Sequence, residues 1–459
     1  MTVSPARRIA YQVLRQVEAE RAYASDVLHE ALDVRVKPAD AALATEITLG
    51  VLRWRRLLDF LLNRHLQKTI ERLDLAVALA LRIGLYQLRF LERIPTRAAV
   101  NESVELVKMA RKTSAASLVN AVLHKAAAEA ASPVEQFLGA NLPHTERLAI
   151  LHSHPTWMVE RWVSRLGEAL AIRTMTANNE RPRLSCVLEG GDFREEVQSE
   201  LARAGLHIEP GLLLENAFAA TGGSPRQTEA FRAGLLAIQD EASQAVPLLL
   251  GVEPGDWVID LCGAPGGKTP ALARASGTTG LVIAADRYWH RLRAMRAHFK
   301  RLRLAGVYLV ELNAEQPLPF RETFDRILLD APCSGTGTLA RHPEIRWRLR
   351  PEQLPAFHQL QVRLLGNAIP ALKPGGQMVY STCSMEPEEN EQVVAKVLDA
   401  EPSIRRLGAR TVIERLRPHL RKGVDAETFF AGDGYFRSSP AAQHTDGFFA
   451  ATLERSQSC

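Results

Sequence analysis

Two stretches of the sequence place a cysteine directly after an apolar run. Residues 328–335 read LLDAPCSG and residues 379–384 read VYSTCS, so Cys333 and Cys383 are expected in loops that follow buried strands. In a doubly wound sheet with the strand order 3-2-1-4-5, strands four and five are neighbours, and ligands bind beyond their carboxyl ends. We therefore expect both thiols to face one pocket, where at least one of them acts as a nucleophile.

A glycine turn is the candidate binding site for the ligand. Residues 257–269 read WVIDLCGAPGGKT, which predicts a buried strand, a turn and the start of a helix. The phosphate-loop pattern fails because Cys262 stands at the first glycine position, and the dinucleotide pattern fails because Pro265 stands at the second. Asp286 closes the next strand, where an acid conventionally binds the hydroxyls of a ribose. These features favour a nucleoside derivative, S-adenosylmethionine over ATP.

A thiolate beside a methyl donor is suited to methylation of cytosine at carbon 5. This carbon is too electron-poor to attack a methyl group until a thiolate adds to carbon 6, and the adduct must later lose a proton and expel the sulfur. Asp330 is a candidate to hydrogen-bond the ring nitrogen, and Lys268 is a candidate to lower the pKa of a neighbouring thiol. The alternatives are a loop or helix cap for Asp330 and a solvated helix position for Lys268.

These residues need a sheet to position them, and from residue 238 onwards strand and helix patterns alternate. This alternation predicts an α/β fold with a doubly wound, mostly parallel, Rossmann-like sheet over residues 238–459. The turn of sequence KPGG at 373–376 is expected to lead into the fifth strand. The strand candidates are 258–260, 281–285, 307–311, 326–330, 377–380 and a last pair near 447–452.

The preceding part of the chain divides into two further regions. Apolar residues recur at helical spacing up to about residue 131, which predicts an all-α domain over residues 1–140. A connection bearing proline and histidine follows, and residues 141–237 are expected to form linking helices and a small α/β subdomain. Its strand patterns lie at 184–188, 206–208 and 235–238, and Cys186 in the first of them is interpreted as a core residue.

Composition indicates a globular protein from a reducing compartment. The chain has 459 residues, 46% of them hydrophobic, and a formal net charge of +5, which permits a nucleic-acid partner without requiring one. The cysteines are odd in number and scattered, without the spacing of a metal site: Cys186, Cys262, Cys333, Cys383 and Cys459. No signal peptide or membrane-spanning run is evident, so the expected location is the cytoplasm, with neither a metal nor a membrane partner.

Three motifs closely resemble those of the NOL1/NOP2/Sun family of RNA cytosine carbon-5 methyltransferases. They are residues 260–268 (DLCGAPGGK), 330–337 (DAPCSGTG) and 380–390 (YSTCSMEPEEN). Residues 238–243 (IQDEAS) and 446–449 (DGFF) extend the match, so the resemblance covers the chain from about residue 157 onwards. It implies a Rossmann-like class I methyltransferase domain that uses S-adenosyl-L-methionine.

The resemblance also assigns roles that the residues alone leave open, since DNA cytosine methyltransferases use the cysteine of a Pro-Cys motif as nucleophile. It implies that Cys383 is the nucleophile and that Cys333 assists release of the product. Asn313 stands where the family usually has aspartate, although its amide can still hydrogen-bond, and Gly263 replaces a common alanine at an expected small cost. The implied cofactor contacts are Cys262, Gly263, Ala264, Pro265, Gly266, Gly267, Lys268, Asp286, Asn313 and Asp330.

The N-terminal helical region, with residues 99–107 (AVNESVELV), resembles the NusB-type RNA-binding domain. The combination resembles bacterial members of the family that methylate 16S ribosomal RNA, at cytosine 967, which implies an incompletely assembled small subunit as the partner. Two other functions stay open. One is an RNA-binding ribosome assembly factor without activity, and the other is methylation of another RNA or of DNA.

Three basic clusters are candidate RNA contacts, and for the two that do not contain Trp347 a solvated helix face is the alternative. One surrounds Trp347 and consists of Arg341, Arg346, Arg348 and Arg350; it is favoured because it follows the Pro-Cys motif. Another, in the helical region, is Arg53, Trp54, Arg55 and Arg56. The third is a run without an acid, consisting of Arg287, Arg291, Arg293, Arg296, Lys300, Arg301 and Arg303.

Overall fold

The structure is a computed structural model that describes residues 3–20, 22–32, 36–189, 194–430 and 432–457; Cys459 lies outside these ranges. The described chain divides into two units. The first comprises the residues up to Arg181 together with Leu339–Leu349, and the second comprises Pro182–Thr338 and the residues from Arg350 onwards. No helix among the described residues has the length and apolarity needed to cross a membrane.

The helices and strands are numbered in chain order. The helices are α1 (Pro5–Glu20), α2 (Ala24–Ala31), α3 (Pro38–Arg53), α4 (Arg55–Asn63), α5 (Leu75–Phe90), α6 (Thr96–Met109), α7 (Ala116–Glu129), α8 (His144–Leu151), α9 (Thr156–Leu166), α10 (Glu168–Asn179), α11 (Arg194–Arg203), α12 (Glu229–Arg232), α13 (Glu241–Leu248), α14 (Thr269–Ser276), α15 (Trp289–Arg301), α16 (Ile345–Arg348), α17 (Leu354–Ala368), α18 (Glu391–Ala400), α19 (Ala409–Leu416) and α20 (Pro440–Gln443). The strands are β1 (Ser185–Leu188), β2 (His207–Pro210), β3 (Ala217–Thr221), β4 (Leu236–Ile238), β5 (Trp257–Leu261), β6 (Leu281–Asp286), β7 (Val307–Glu311), β8 (Phe324–Asp330), β9 (Leu372–Thr382), β10 (Ile404–Arg406), β11 (Phe436–Arg437) and β12 (Phe449–Arg455).

The first unit is helical, as the apolar spacing predicts. Its central helix α5 is apolar on nearly all sides, and a helix of this kind is stable only when neighbours cover it. Asp74 caps this helix, because its side chain accepts a hydrogen bond from the backbone N–H of Ala76. Leu79, Leu81 and Ile83 of α5 are fully buried in the core of this unit.

Three members of the cluster around Trp347, namely Arg346, Trp347 and Arg348, are part of this helical core, so their predicted role as an RNA surface is wrong; Arg350 is exposed. The Arg346 side chain is 0% exposed, and its guanidinium donates to Asn179 Oδ1 at 2.8 Å and to four backbone carbonyls. The Trp347 indole N–H donates to the Leu52 carbonyl, and Arg348 donates to two carbonyls of the same unit. These groups are used to hold Leu339–Leu349 against the helices.

The cluster of Arg53 to Arg56 is likewise not an exposed basic surface. Arg53 is buried and donates to the carbonyl of Ala340. Trp54 stacks on Phe90, with ring centroids 5.0 Å apart. Arg55 and Arg56 pair with glutamates, Glu18 and Glu146 respectively. The expectation that these side chains are exposed is therefore wrong, because packing and ion pairs already engage them.

The second unit begins with a small antiparallel sheet in the order β2-β3-β1-β4. Strands β1, β2 and β4 match the three predicted strands, and Cys186 is fully buried in the core, as expected. Strand β3 was not predicted. Its sequence AFAAT consists mostly of small residues, four of which are buried, so it lacks the alternation that identifies a half-buried strand.

The large sheet has the order β10-β12-β9-β8-β5-β6-β7, with β11 paired to β12. Strands β5 to β9 are parallel, in the predicted order 3-2-1-4-5, and β12 is antiparallel to β9. Strand β9 starts earlier than predicted, since residues 373–376 lie within it beside a register irregularity in β8. The pairs Asp260 with Leu328 and Asp330 with Ser381 bring the ends of β5, β8 and β9 side by side.

Candidate active site

The two loop cysteines lie next to each other. The sulfur atoms of Cys333 and Cys383 are 3.3 Å apart, and both side chains are half-buried. The hydrogen bond to Cys383, together with burial, raises the pKa of Cys333 well above that of an ordinary thiol. Cys333 is consequently a protonated thiol at neutral pH. It is able to donate a hydrogen bond to the sulfur of Cys383.

An ion pair connects the glycine turn to the end of β8. Lys268 Nζ donates to Asp330 Oδ2 at 2.6 Å and lies 4.9 Å from the centre of the Phe448 ring. Ser381 donates to the other oxygen of Asp330. Burial, which lowers the pKa of Lys268, is outweighed by Asp330, so this pKa is raised and the ammonium is charged. Lys268 is only 8% exposed, which excludes the solvated position considered for it.

The glycine turn brings backbone close to its neighbours. Cys262 and Gly266 have positive φ angles of 61° and 96°, and a Cβ on Gly266 would lie 2.8 Å from Met295. A Cβ on Gly263 would lie 2.9 Å from the carboxyl carbon of Asp260. An alanine at position 263 would therefore require that carboxylate to shift, so glycine is the residue that fits the turn in this chain.

Two acids stand beside the turn at the ends of β5 and β6. Asp260 is 1% exposed; one carboxylate oxygen accepts from Thr269 at 2.6 Å, and the other has no hydrogen-bond partner among the described residues. Burial raises the pKa of Asp260 to about 7. Asp286 pairs with Arg291 at 2.9 Å and accepts from the backbone N–H of Tyr288. A buried, partly unpaired acid beside a glycine turn fits a polar ligand.

The remaining predicted contacts lie in the same unit. Burial raises the pKa of Cys262 to about 12. Its thiol is therefore neutral, lines the turn and is unsuited to act as a nucleophile. Asn313 follows β7, and its side-chain oxygen accepts from the backbone N–H of Glu315. Ala264 is held by Arg291, which donates to its carbonyl at 2.7 Å. No group of three or more metal-ligating side chains is found within the described ranges.

The third basic cluster lies along α15 and just beyond both of its ends. Some of its side chains are engaged by other residues, and the rest are exposed. Arg287 pairs with Glu315, Arg291 pairs with Asp286, and Arg301 donates to two carbonyls of the small sheet region. These three arginines hold the fold or the turn. The other four basic side chains of the run are exposed: Arg293, Arg296, Lys300 and Arg303.

Sequence reasoning missed the polar residues that support the cysteine loops. Glu389 is 0% exposed and accepts hydrogen bonds from Ser334 and Ser384, which follow Cys333 and Cys383. It belongs to the stretch EPEEN, in which three acids within four residues read as a solvated surface. Its position was the signal that could have identified it, because this stretch begins three residues after Cys383.

Comparison with known proteins identifies both parts of the chain. Residues 247–454 match the family model described as 16S rRNA methyltransferase RsmB/F, and residues 4–128 match the NusB family. A probable ribosomal RNA small subunit methyltransferase B of Bacillus subtilis is 30% identical, over 99% of this chain and 100% of its own.

Two further relatives agree with this assignment. Ribosomal RNA small subunit methyltransferase B of Pseudomonas putida is 33% identical over 94% of this chain and 97% of its own. The crystal structure of the protein PH0851 superimposes with a TM-score of 0.82 at 25% identity, covering 99% of this chain and 100% of that one. Because similarity of this extent spans both domains, the chain belongs to the RsmB/F family of ribosomal RNA methyltransferases and carries a NusB-family domain.

Proposed function

We propose that this protein methylates carbon 5 of a cytosine in 16S ribosomal RNA, cytosine 967, through a covalent adduct with Cys383. The methyl donor is S-adenosylmethionine, bound by the glycine turn and by Asp286, Asn313 and Asp330. The observation that supports this proposal is the 3.3 Å separation of two cysteine sulfurs beside that turn. A thiol pair beside a ligand turn suits addition to a pyrimidine and later release of it.

The first step is addition of the Cys383 thiolate to carbon 6 of the ring. The sulfur supplies the electron pair of the new bond, and the electrons of the ring double bond move to make carbon 5 nucleophilic. Asp330 lies at the end of β8, three residues before Cys333, and its carboxylate hydrogen-bonds the protonated ring nitrogen during this step. S-adenosylmethionine, when bound, supplies the methyl group that carbon 5 takes up.

Release reverses the addition. The proton on carbon 5 passes to water, its electron pair restores the ring double bond, and the bond between carbon 6 and sulfur breaks. Cys333, protonated because of its hydrogen bond to Cys383 and its burial, donates a hydrogen bond to the departing sulfur. The nucleophile, Cys383, must react as a thiolate, whereas Cys333 must be a protonated thiol to assist release. The two roles therefore need thiols in different protonation states.

The exposed face of α15 is the candidate RNA surface of the second unit. The side chains of Arg293 and Lys300 on α15, and of Arg303 just after it, are exposed and make no ion pair or hydrogen bond with any described residue. Tyr288 and Trp289, at the start of α15, are 48% and 44% exposed and offer rings on which a base can stack. Because α15 begins three residues after Asp286, this surface starts beside the proposed cofactor site.

The function is tested by transfer of a labelled methyl group from S-adenosylmethionine to 16S ribosomal RNA, followed by bisulfite sequencing. Free RNA, partly assembled and complete small subunits are compared, and a partly assembled particle in the cytoplasm is the expected substrate. Binding of RNA without transfer would favour an assembly factor that lacks activity. Transfer to DNA or to another RNA would overturn the proposed substrate.

A further inference from the structure

One buried carboxylate links the two cysteine loops. Glu389 is 0% exposed, and its first oxygen accepts from the backbone N–H of Ser334 at 2.8 Å and from the Gln361 amide at 3.0 Å. Its second oxygen accepts from the Ser384 hydroxyl at 2.5 Å and from the Ser334 hydroxyl. Ser334 and Ser384 directly follow Cys333 and Cys383, so one side chain holds the neighbour of each thiol.

The loops are also joined around this carboxylate. The two serine hydroxyls lie 3.1 Å apart, and Gln361 donates to the carbonyl of Pro332 as well as to Glu389. The backbone N–H of Gly337 donates to the carbonyl of Cys383 at 2.9 Å. These bonds surround the carboxylate with donors from both loops.

Glu389 is itself fixed to the sheet. The Tyr380 hydroxyl, on buried β9, donates to the Glu389 carbonyl at 2.6 Å. The neighbouring Asn390 accepts from the Thr382 hydroxyl and donates to the Ser384 carbonyl. The carboxylate therefore has a fixed position from which it holds the loops.

A charged group at this position is costly, because every donor to Glu389 is neutral and burial removes its hydration. Burial raises the pKa of Glu389, and the hydrogen bonds from Ser334 and Ser384 oppose this effect. A neutral apolar core would avoid the desolvation cost. The protein instead places the carboxylate of Glu389 here, where it holds the two loops in register.

We propose that Glu389 is a positioning residue that sets the distance between the sulfurs of Cys333 and Cys383 by holding Ser334 and Ser384 on one carboxylate. The consequence for the reaction rests on the proposed function: with a wider gap Cys333 no longer reaches the Cys383 sulfur, so adduct release slows more than adduct formation. Glu389 acts through the serines and does not touch the substrate.

The distance is tested without RNA, by dibromobimane, which becomes fluorescent when it bridges two adjacent thiols. Peptide mass spectrometry identifies the bridge between Cys333 and Cys383. Glu389→Ala should slow bridging by about tenfold or more, as expected when several hydrogen bonds to a charged group are lost. Glu389→Gln, which keeps the size and one acceptor oxygen, should stay within about threefold of the wild type. Asp399→Ala, at an exposed acid of α18, is the matched control.

Turnover gives the second readout. In Glu389→Ala, kcat should fall with KM for S-adenosylmethionine unchanged, and the covalent RNA adduct should accumulate on a denaturing gel; Glu389→Gln should restore kcat. If Glu389→Ala does not fold, Ser334→Ala and Ser384→Ala replace it, since each leaves the carboxylate and removes one hydroxyl. Bridging at the wild-type rate in folded Glu389→Ala or in both serine variants would overturn the proposal. Slower bridging in the variant, with no methyl transfer by the wild type, would instead retain the positioning role and refute the proposed methylation.

Discussion

Lys268 and Asp330 form an ion pair of 2.6 Å between the glycine turn and the end of β8. Lys268 lies in the turn that follows β5, and Asp330 ends β8; these two strands are parallel neighbours, so the pair joins the proposed cofactor site to the loop of Cys333. Lys268 is nearly buried, whereas Asp330 is half-buried and also accepts from Ser381. Breaking this pair should therefore lower the stability of the fold. The pair also lies next to the groups proposed to react.

Lys268→Met should destabilise the protein, because it leaves the carboxylate of Asp330 without its cation. Breaking a fully buried pair costs about 3–5 kcal/mol, and the partial exposure of Asp330 lowers the expected loss to about 2 kcal/mol. Urea denaturation of Lys268→Met, Asp330→Asn and the double variant measures the coupling. Additive losses in the double variant would show that the two side chains do not stabilise each other.

Cys383→Ala should abolish both turnover and the covalent RNA adduct, because no other sulfur would then add to carbon 6. Cys333→Ala should still form the adduct and fail to resolve it, since the hydrogen bond to the departing sulfur is lost. A denaturing gel with labelled 16S ribosomal RNA separates these outcomes, and Cys186→Ala, in the core of the small sheet, is the thiol control. An adduct that persists in the Cys383 variant would reverse the two assignments.

Asp260→Asn should change how stability depends on pH. The folded pKa of Asp260 is raised from 3.8 to about 7, so folding favours the protonated acid. Its contribution to stability is complete below about pH 4 and is lost as the pH rises through about 7. Asparagine has no such loss, so the variant should gain about 2–4 kcal/mol relative to the wild type between pH 4 and pH 8. Urea denaturation at both pH values without cofactor measures the gain, which a pH-independent difference would contradict.

The large sheet could be predicted because the sequence patterns that specify its strands are local. Each strand from β5 to β9 carries an apolar run, and the chain punctuates these runs with turns, so their order follows from the general rule for doubly wound sheets. The meeting of Cys333 and Cys383 follows from that order. Strand β3 was not predictable by the same route, since its small residues carry no period.

The contacts that support the site and the helical core join residues that are far apart in the sequence. They therefore produce no local sequence pattern from which they could be predicted. Arg346 lies in a basic, aromatic stretch typical of a nucleic-acid surface, yet its acceptors include Asn179 and Arg53, which are 167 and 293 positions away. Glu389 lies in an acidic stretch, and its donor Ser334 is 55 positions away. Burial of a charged side chain is decided by such partners, which a single sequence does not display.

Arg346→Ala should destabilise the first unit strongly. The substitution leaves five acceptors without their donor, four of them backbone carbonyls, and unsatisfied buried groups cost about 1–3 kcal/mol each before relaxation and water entry. A net loss of about 3 kcal/mol or more in the free energy of unfolding is expected, and Arg346→Lys should recover little because an ammonium lacks the planar fork. Thermal unfolding measures both, and exposed Arg350→Ala should have a small effect. Equal effects at positions 346 and 350 would contradict a buried structural role.

The exposed face of α15 gives a prediction about salt. Each lysine or arginine that neutralises a phosphate contributes about 0.7–0.9 to the slope of log affinity against log salt concentration. Removing Arg293, Lys300 and Arg303 together should therefore lower the slope for 16S ribosomal RNA by about 2. Trp289→Ala should weaken binding by about 1–3 kcal/mol with little change in slope, because stacking releases no counterions. Filter binding over a salt series measures both quantities.

The matched control for this surface is Arg410→Ala on α19. This arginine is also highly exposed, with its side chain 93% accessible, and pairs with Glu414 in the next turn of its helix. If the basic face of α15 binds the RNA backbone, Arg410→Ala should leave the slope unchanged while the α15 triple variant lowers it. An unchanged slope in the triple variant would leave α15 as a solvated face. Of the arginines that remain in the run, 287, 291 and 301 are already engaged by Glu315, Asp286 and backbone carbonyls, and Arg296 lies over the Trp289 ring.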